Sequence, residues 1–361
     1  MMDLRISRSV SFAGAGVVRH EERQMGQCLR GGAKGSRARL RSFTGAAAAI
    51  ALFAALTCAP AAAQSLTPLK VGTMKSTSQT PDYFAKKHGI FEKNGLAVTL
   101  TEFTNGSNAI AAGQSGAVDI MVAIPGIAMV AKQNGLDLVA VLQIETAHDG
   151  PPDTGSLQVL ATSPLKTLKE LAGKKVAVAS LSSQNTISTQ TVIQAGGVDI
   201  KTVRFVEMPF PAMINALKAG HVDAVSLIDP FSTEVQSSGI GRVVAWTYVD
   251  AIPGQPTSVW WAKTNFAQRN PDTVERFNKS IKEAIDALNA DPTLARAELG
   301  AYTGIPSELL QHLPMPNWNY RVSEKTWEKV IKMMTDSGVL QHPLPVADYL
   351  SEQMKPYVVK N

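Results

Sequence analysis

The sequence predicts an α/β protein of two similar lobes, each a mostly parallel sheet flanked by helices, with a two-strand hinge between them. Three observations carry this. A phrase is written twice, 104 residues apart. Gly116-Ala117-Val118-Asp119 leads into the apolar run 120–124 and Pro125, and Gly220-His221-Val222-Asp223 leads into 224–228 and Asp229-Pro230. Each copy follows a helix-like stretch, so helix, glycine stop, buried strand and proline turn form a repeated unit. Short apolar strands also alternate with helical stretches from 69 to 262, as in parallel sheets covered on both faces. Finally, the alternation restarts near 163 and returns near 256, giving two chain crossings and hence a hinge. Two lobes leave a cleft, where a ligand is expected.

Taken in order, 69–74 reads as a first strand and 75–80 as a small polar loop. Residues 81–92 form one helix, stopped by Gly95. A strand follows at 97–103, and Asn105-Gly106-Ser107-Asn108 serves as turn and helix cap. The first repeat copy comes next, then a helix at 125–133 and an apolar strand at 136–143. A loop carrying His148, Asp149 and Asp153 precedes a strand at 157–162. The second half repeats the scheme: a short helix at 168–173, a strand at 176–180, a helix opened by Ser182-Ser183-Gln184-Asn185, a strand at 203–207 and the repeat helix at 211–219. Strands at 243–246 and 258–262 complete it, the latter returning to the first lobe. Four helices follow, at 271–290, 292–303, 323–337 and 346–354.

The sequence pI of about 9.1 is set by the amino-terminal 63 residues. They hold nine Lys/Arg against three acids, leaving 26 basic and 27 acidic residues beyond them. No basic stripe survives there, so no nucleic-acid partner is expected. Arg37, Arg39 and Arg41, the apolar run 46–56 and Ala61-Ala62-Ala63 have the three parts of a secretory signal, with cleavage expected after Ala63. Translation is expected to begin at Met25. Cys58 lacks the small preceding residues of a lipoprotein cysteine. Both cysteines, Cys28 and Cys58, fall in the removed segment, so neither disulfide, thiolate metal site nor cysteine nucleophile is expected. A lobe 1 at 64–163, a lobe 2 at 164–256 and a return segment at 257–361 are the expected domains.

The wording of 81–96, Tyr-Phe-Ala-Lys-Lys-His-Gly-Ile-Phe-Glu-Lys-Asn-Gly-Leu within it, is similar to the early segment of ABC-importer solute-binding proteins of the nitrate/sulfonate/taurine family. Gly106-Ser107, both Gly-x-Val-Asp copies, 168–175 and Ser182-Ser183 also resemble that family, over about 69–290. The resemblance implies a type II-like periplasmic-binding-protein fold. It further implies a monomeric periplasmic receptor that delivers a small solute, an anion such as nitrate, a sulfonate or an organic acid, to a membrane permease and its ATPase. Two other readings stand beside it: an exported enzyme related to pyrimidine-precursor synthases, and a ligand-sensing receptor for a membrane signalling protein. Against an enzyme, the chain beyond 63 has no cysteine, no Gly-x-Ser-x-Gly elbow and no His/Asp/Glu cluster with ligand spacing. No catalytic residue, cofactor or metal is therefore assigned.

In α/β lobes, ligands sit beyond the carboxyl ends of strands, beside helix N-termini whose amides favour anions. The candidate binding residues are accordingly Lys75, Ser76, Thr77, Ser78 and Gln79 after the first strand, Gly106 and Ser107, and Ile124 and Pro125 after the first repeat strand. In the second lobe they are Ser182, Ser183, Gln184 and Asn185, with Asp229 and Phe231 after the second repeat strand. Trp260 is added because Trp260-Trp261 alternates faces, one toward the cleft and one toward the core. Asp119 and Asp223 lie at the amino ends of their strands and are read as turn-capping carboxylates.

Overall fold

The computed structural model describes residues 65–359. The expected signal segment, with Met25, Cys28, Cys58 and the cleavage point, lies outside the described residues.

β1 (Thr67–Met74) and a 3-10 turn at Thr77–Gln79 open the fold. The helix expected at 81–92 is two, α1 (Thr80–Lys87) and α2 (Ile90–Lys93). Gly89 between them has a φ of 67°, a left-handed turn that breaks the helical run. Next come β2 (Leu96–Phe103), α3 (Gly106–Ser115), β3 (Ile120–Ala123), α4 (Pro125–Gln133) and β4 (Val139–Thr146). The Asn105 side chain caps α3 by accepting from Asn108 N, and Pro125 starts α4.

β5 (Gly155–Leu160), β6 (Lys175–Val178), α5 (Gln184–Ala195), β7 (Arg204–Glu207), α6 (Phe210–Lys218) and β8 (Ala224–Ile228) follow. α7 (Phe231–Ser237), not expected from the sequence, precedes β9 (Gly241–Trp246) and β10 (Pro256–Ala262). The chain then runs through α8 (Thr264–Arg269), α9 (Pro271–Ala290), α10 (Pro292–Thr303) and α11 (Ser307–His312). It ends with β11 (Asn317–Trp318), β12 (Val322–Ser323), α12 (Glu324–Asp336) and β13 (Val358–Val359). The helix expected at 346–354 is only a 3-10 turn at Val346–Tyr349.

The strands build two large sheets, ordered β11-β4-β10-β3-β1-β2 and β7-β6-β8-β5-β9. In each, three parallel strands (β2-β1-β3 and β7-β6-β8) meet an antiparallel one, β10 or β5, which a further antiparallel strand flanks. Apart from the edge strand β11 of the first, the two sheets thus share one topology, as the doubled phrase implies. The repeated aspartates do the same work in both. Lys70 N donates to Asp119 Oδ2 at 2.9 Å while Asp119 N donates to Lys70 O. Lys175 N donates to Asp223 Oδ2 at 2.8 Å while Asp223 N donates to Lys175 O. Each carboxylate therefore ties the amino end of one strand to its neighbour.

β5 belongs to the second sheet, through β8 and β9, so the first crossing lies at 147–154 and not near 163. The second lies at 247–255. The crossings bond to each other through Ala147 N, which donates to Gln255 O at 2.8 Å, and the second also bonds to the start of β5, Thr247 N donating to Gly155 O at 2.9 Å. Asp153, on the first, receives Val249 N from the second at 2.9 Å. A Cβ built on Gly155 would lie 2.6 Å from Thr247 Oγ1 and 2.8 Å from the Tyr248 ring. Gly155→Ala is expected to cost about 1–3 kcal/mol through that overpacking, read from the midpoint of urea unfolding.

Apolar side chains cover both faces of the first sheet. Trp260 packs on one with Phe91 and Phe277, and Trp261 on the other with Trp327. Separate clusters lie on the two faces of the second sheet, around Val176 and Leu157 and around Leu217 and Val225.

Candidate functional site

A cleft of about 1360 Å³ lies where the carboxyl ends of β1, β2, β3 and β4 meet those of β6, β7 and β8. This is where helix N-termini and strand ends of α/β sheets leave backbone groups free for a ligand. Thirteen of the sixteen candidate residues line it: Lys75, Ser76, Thr77, Ser78, Gln79, Gly106, Ser107, Ile124, Ser182, Ser183, Asn185, Asp229 and Phe231.

The serines divide their work. Ser183 caps α5, its Oγ accepting from Thr186 N at 3.2 Å, while Ser182 stays exposed on the cleft wall. Gln79 is fully buried and donates to Ser258 Oγ at 2.9 Å, with Ser76 Oγ bonded to its Oε1. Asn185 is engaged on both sides of its amide, by Ser226 and Thr247, and contributes mainly shape.

Three candidates lie elsewhere. Trp260 is fully buried against Phe277, 5.5 Å between ring centroids, because β10 is an interior strand covered by helices on both faces. Both faces of that strand are core, so alternation brings neither tryptophan to the cleft. Pro125 is buried as the first residue of α4, with Ile124 taking the cleft position before it. Gln184 is buried behind the cleft. Its Oε1 accepts from Gly126 N at 3.0 Å, and its Nε2 donates to Gln255 Oε1 and Pro256 O at 2.9 Å. It thereby joins α5, which packs on the second sheet, to α4 and β10 of the first.

Of the acidic floor, the sequence points to Asp229 but not to Glu145. Glu145 is the next-to-last residue of β4 and is 3% exposed. Asp229 follows β8 and is 7% exposed. Burial pushes Glu145 up to about 7, with the charges of Asp153 and Asp229 adding to the rise. Burial likewise pushes Asp229 up to about 7, although Thr233 donates to its Oδ1 through both hydroxyl and backbone N–H. Asp153, also raised by burial, is committed to Thr154 N and Val249 N. Thr257, Ser258 and Tyr248 complete the floor, and burial pushes the Tyr248 hydroxyl above its ordinary range. Stacked Phe210 and Phe231, 5.3 Å apart, form an apolar wall. The signal that could have found Glu145 is a glutamate inside a strand that runs on past 143, since such a charge is rarely buried without a purpose.

The NMT1/THI5-like family profile matches residues 76–295, more than half of the chain. The taurine-binding periplasmic protein of Escherichia coli is 26% identical over 297 residues, covering 79% of this chain and 87% of its own length. Among solved structures, the periplasmic aliphatic sulphonate binding protein SsuA of Escherichia coli superposes with a TM-score of 0.68 at 19% identity, covering 80% of this chain and 99% of that one. The desulfurization enzyme DSZB superposes with a TM-score of 0.57 at 15% identity, covering 81% and 98%. At these identities the two structures show the fold alone, and it is the fold of periplasmic binding proteins.

Proposed function

The chain belongs to the NMT1/THI5-like family, and from that premise we propose that it is the periplasmic substrate-binding component of an ABC importer. The observation that carries this reading is the cleft itself, walled by strand ends of two sheets of one topology. The lobes are 65–146 with 256–359, and 155–246; the crossings 147–154 and 247–255 are the hinge. Closure about them excludes water and gives the permease a loaded shape to recognise.

A small solute with an anionic group fits the mouth of the cleft. The N-terminal turns of α3 and α5 open onto it at Gly106-Ser107 and at Ser182-Ser183, and Lys75 stands beside them. The Escherichia coli relative binds taurine by name, which agrees with such a ligand. An export signal cleaved after Ala63, a permease and an ATPase as partners, and a monomer complete the proposal. The enzyme reading, kept in view by the DSZB likeness, is disfavoured by a cleft that no cysteine or histidine lines among the described residues.

A thermal-shift panel of nitrate, sulfonates, carboxylates, amino acids and pyrimidines tests the receptor role. At least one solute is expected to raise the melting temperature with saturating dependence on concentration. A hundredfold excess over Kd corresponds to about 2.7 kcal/mol of added stability. A flat response across the panel would sink the receptor reading.

A further inference from the structure

The lining of the cleft is acidic. Among the described residues it carries Glu102, Glu145, Glu207 and Asp229 against one cation, Lys75. An anion alone would face more like charge than opposite charge. The buried members are the informative ones, because water cannot screen them freely. Glu145 comes from the first sheet and Asp229 from the second, so they approach the same floor from opposite sides of the hinge.

That floor also holds a buried acceptor without a partner among the described residues. Thr233 satisfies one oxygen of Asp229, but Asp229 Oδ2 is buried with no hydrogen bond among the described residues. Thr257, 7% exposed, lies beside the Glu145 carboxylate and offers it a hydroxyl donor. Buried polar atoms are nearly always paired, and an unpaired carboxylate oxygen on a cavity floor marks where a donor of a ligand belongs. The acidic residues do not form a metal-ligand cluster among the described residues. An organic donor satisfies these groups better, since N–H bonds can reach several acceptors at once and neutralise the pair. The Phe210–Phe231 wall offers an apolar body somewhere to lie.

We propose that the solute carries a protonated nitrogen, a primary ammonium or an amidinium, which docks between Glu145 and Asp229. This rests on the receptor reading above and narrows it: the ligand is a zwitterion, with its anionic end at the mouth and its cation on the floor. Since each carboxylate belongs to a different sheet, the cation is fully held only when the cleft is closed. The nitrogen then contributes to closure as well as to selection.

Matched pairs test this by calorimetry: taurine with ethanesulfonate, and 4-(aminomethyl)benzoate with 4-methylbenzoate. The aminated member of at least one pair is expected to bind at least tenfold more tightly. Glu145→Gln and Asp229→Asn, both isosteric and expected to fold, should each weaken that member tenfold or more and leave its nitrogen-free partner within threefold. Equal binding of both members, or aminated binding insensitive to both substitutions, overturns the proposal. So does a nitrogen-free solute from the wider panel that binds when no amine does, and in that case the receptor reading stands. If no solute of any kind binds, the receptor reading fails and this proposal falls with it.

Discussion

Trp260→Ala is expected to remove about 3–5 kcal/mol of folding free energy, enough to leave little margin in a protein of ordinary stability. The indole is fully buried on β10, edge-on to Phe277 and packed among side chains of β1, β3, β4 and α9. Truncation leaves a cavity in the centre of the first sheet, which cannot collapse without moving the strands on either side. Trp260 Nε1 is buried and has no hydrogen-bond partner among the described residues. Trp260→Phe therefore loses volume but also sheds an unpaired donor, and is expected to cost about half as much or less. Urea unfolding of both variants measures the difference. A Trp260→Ala protein with wild-type stability and weakened ligand binding would instead place the residue in the cleft.

Lowering the pH from 8 to 5 is expected to stabilise the ligand-free protein, the reverse of ordinary acid sensitivity. Glu145 and Asp229 hold their protons in the folded state up to about pH 7, and Asp82, buried beneath Thr73, up to about pH 8. In the unfolded chain the same groups release protons near pH 4. Between those limits the folded state binds more protons, so folding stability rises as pH falls. For Glu145 and Asp229 together the gain is about 2–4 kcal/mol, because protonating one relieves the repulsion on the other. The trend reverses at lower pH. Glu92, held low by its hydrogen bond from Lys86, loses that partner on protonation. Glu298 behaves alike, its burial being outweighed by hydrogen bonds from Lys87 and His88. Melting temperature against pH reads this directly. The Glu145→Gln/Asp229→Asn double variant should be more stable than wild type at pH 8, with a flatter profile down to pH 5. A wild-type profile that falls steadily from 8 to 5 would refute it.

Much of the fold is legible in the sequence because its signals are local. Proline heads and polar or glycine stops mark α4 and α10 to the residue, and the doubled Gly-x-Val-Asp phrase marks two sheets of one topology. Local signals also mislead in identifiable places. Gly89 sits inside an amphipathic run, and only its left-handed φ shows that the helix is broken there. Asp229-Pro230 reads as a plain turn, which hides α7 beginning at Phe231. The cleft loops were found because strand ends and helix starts define them. Asp229 was found on the same ground, but Glu145 and Thr257 were not, because they lie far apart in the chain and meet only through the pairing of β4 with β10. Trp260 failed for the same reason: alternation on a strand says that two faces exist, and the tertiary structure decides what covers each.

The place of β10 between β3 and β4 bears on how the chain assembles. The second sheet is one unbroken stretch, 155–246, and can finish as soon as that stretch is available. The first sheet cannot. Until residues 256–262 arrive, β3 and β4 have no partner between them and each presents an open strand edge, the kind of surface on which chains stick to one another. The lobe that begins first is completed last, and the segment emerging after the hinge is the one that protects it.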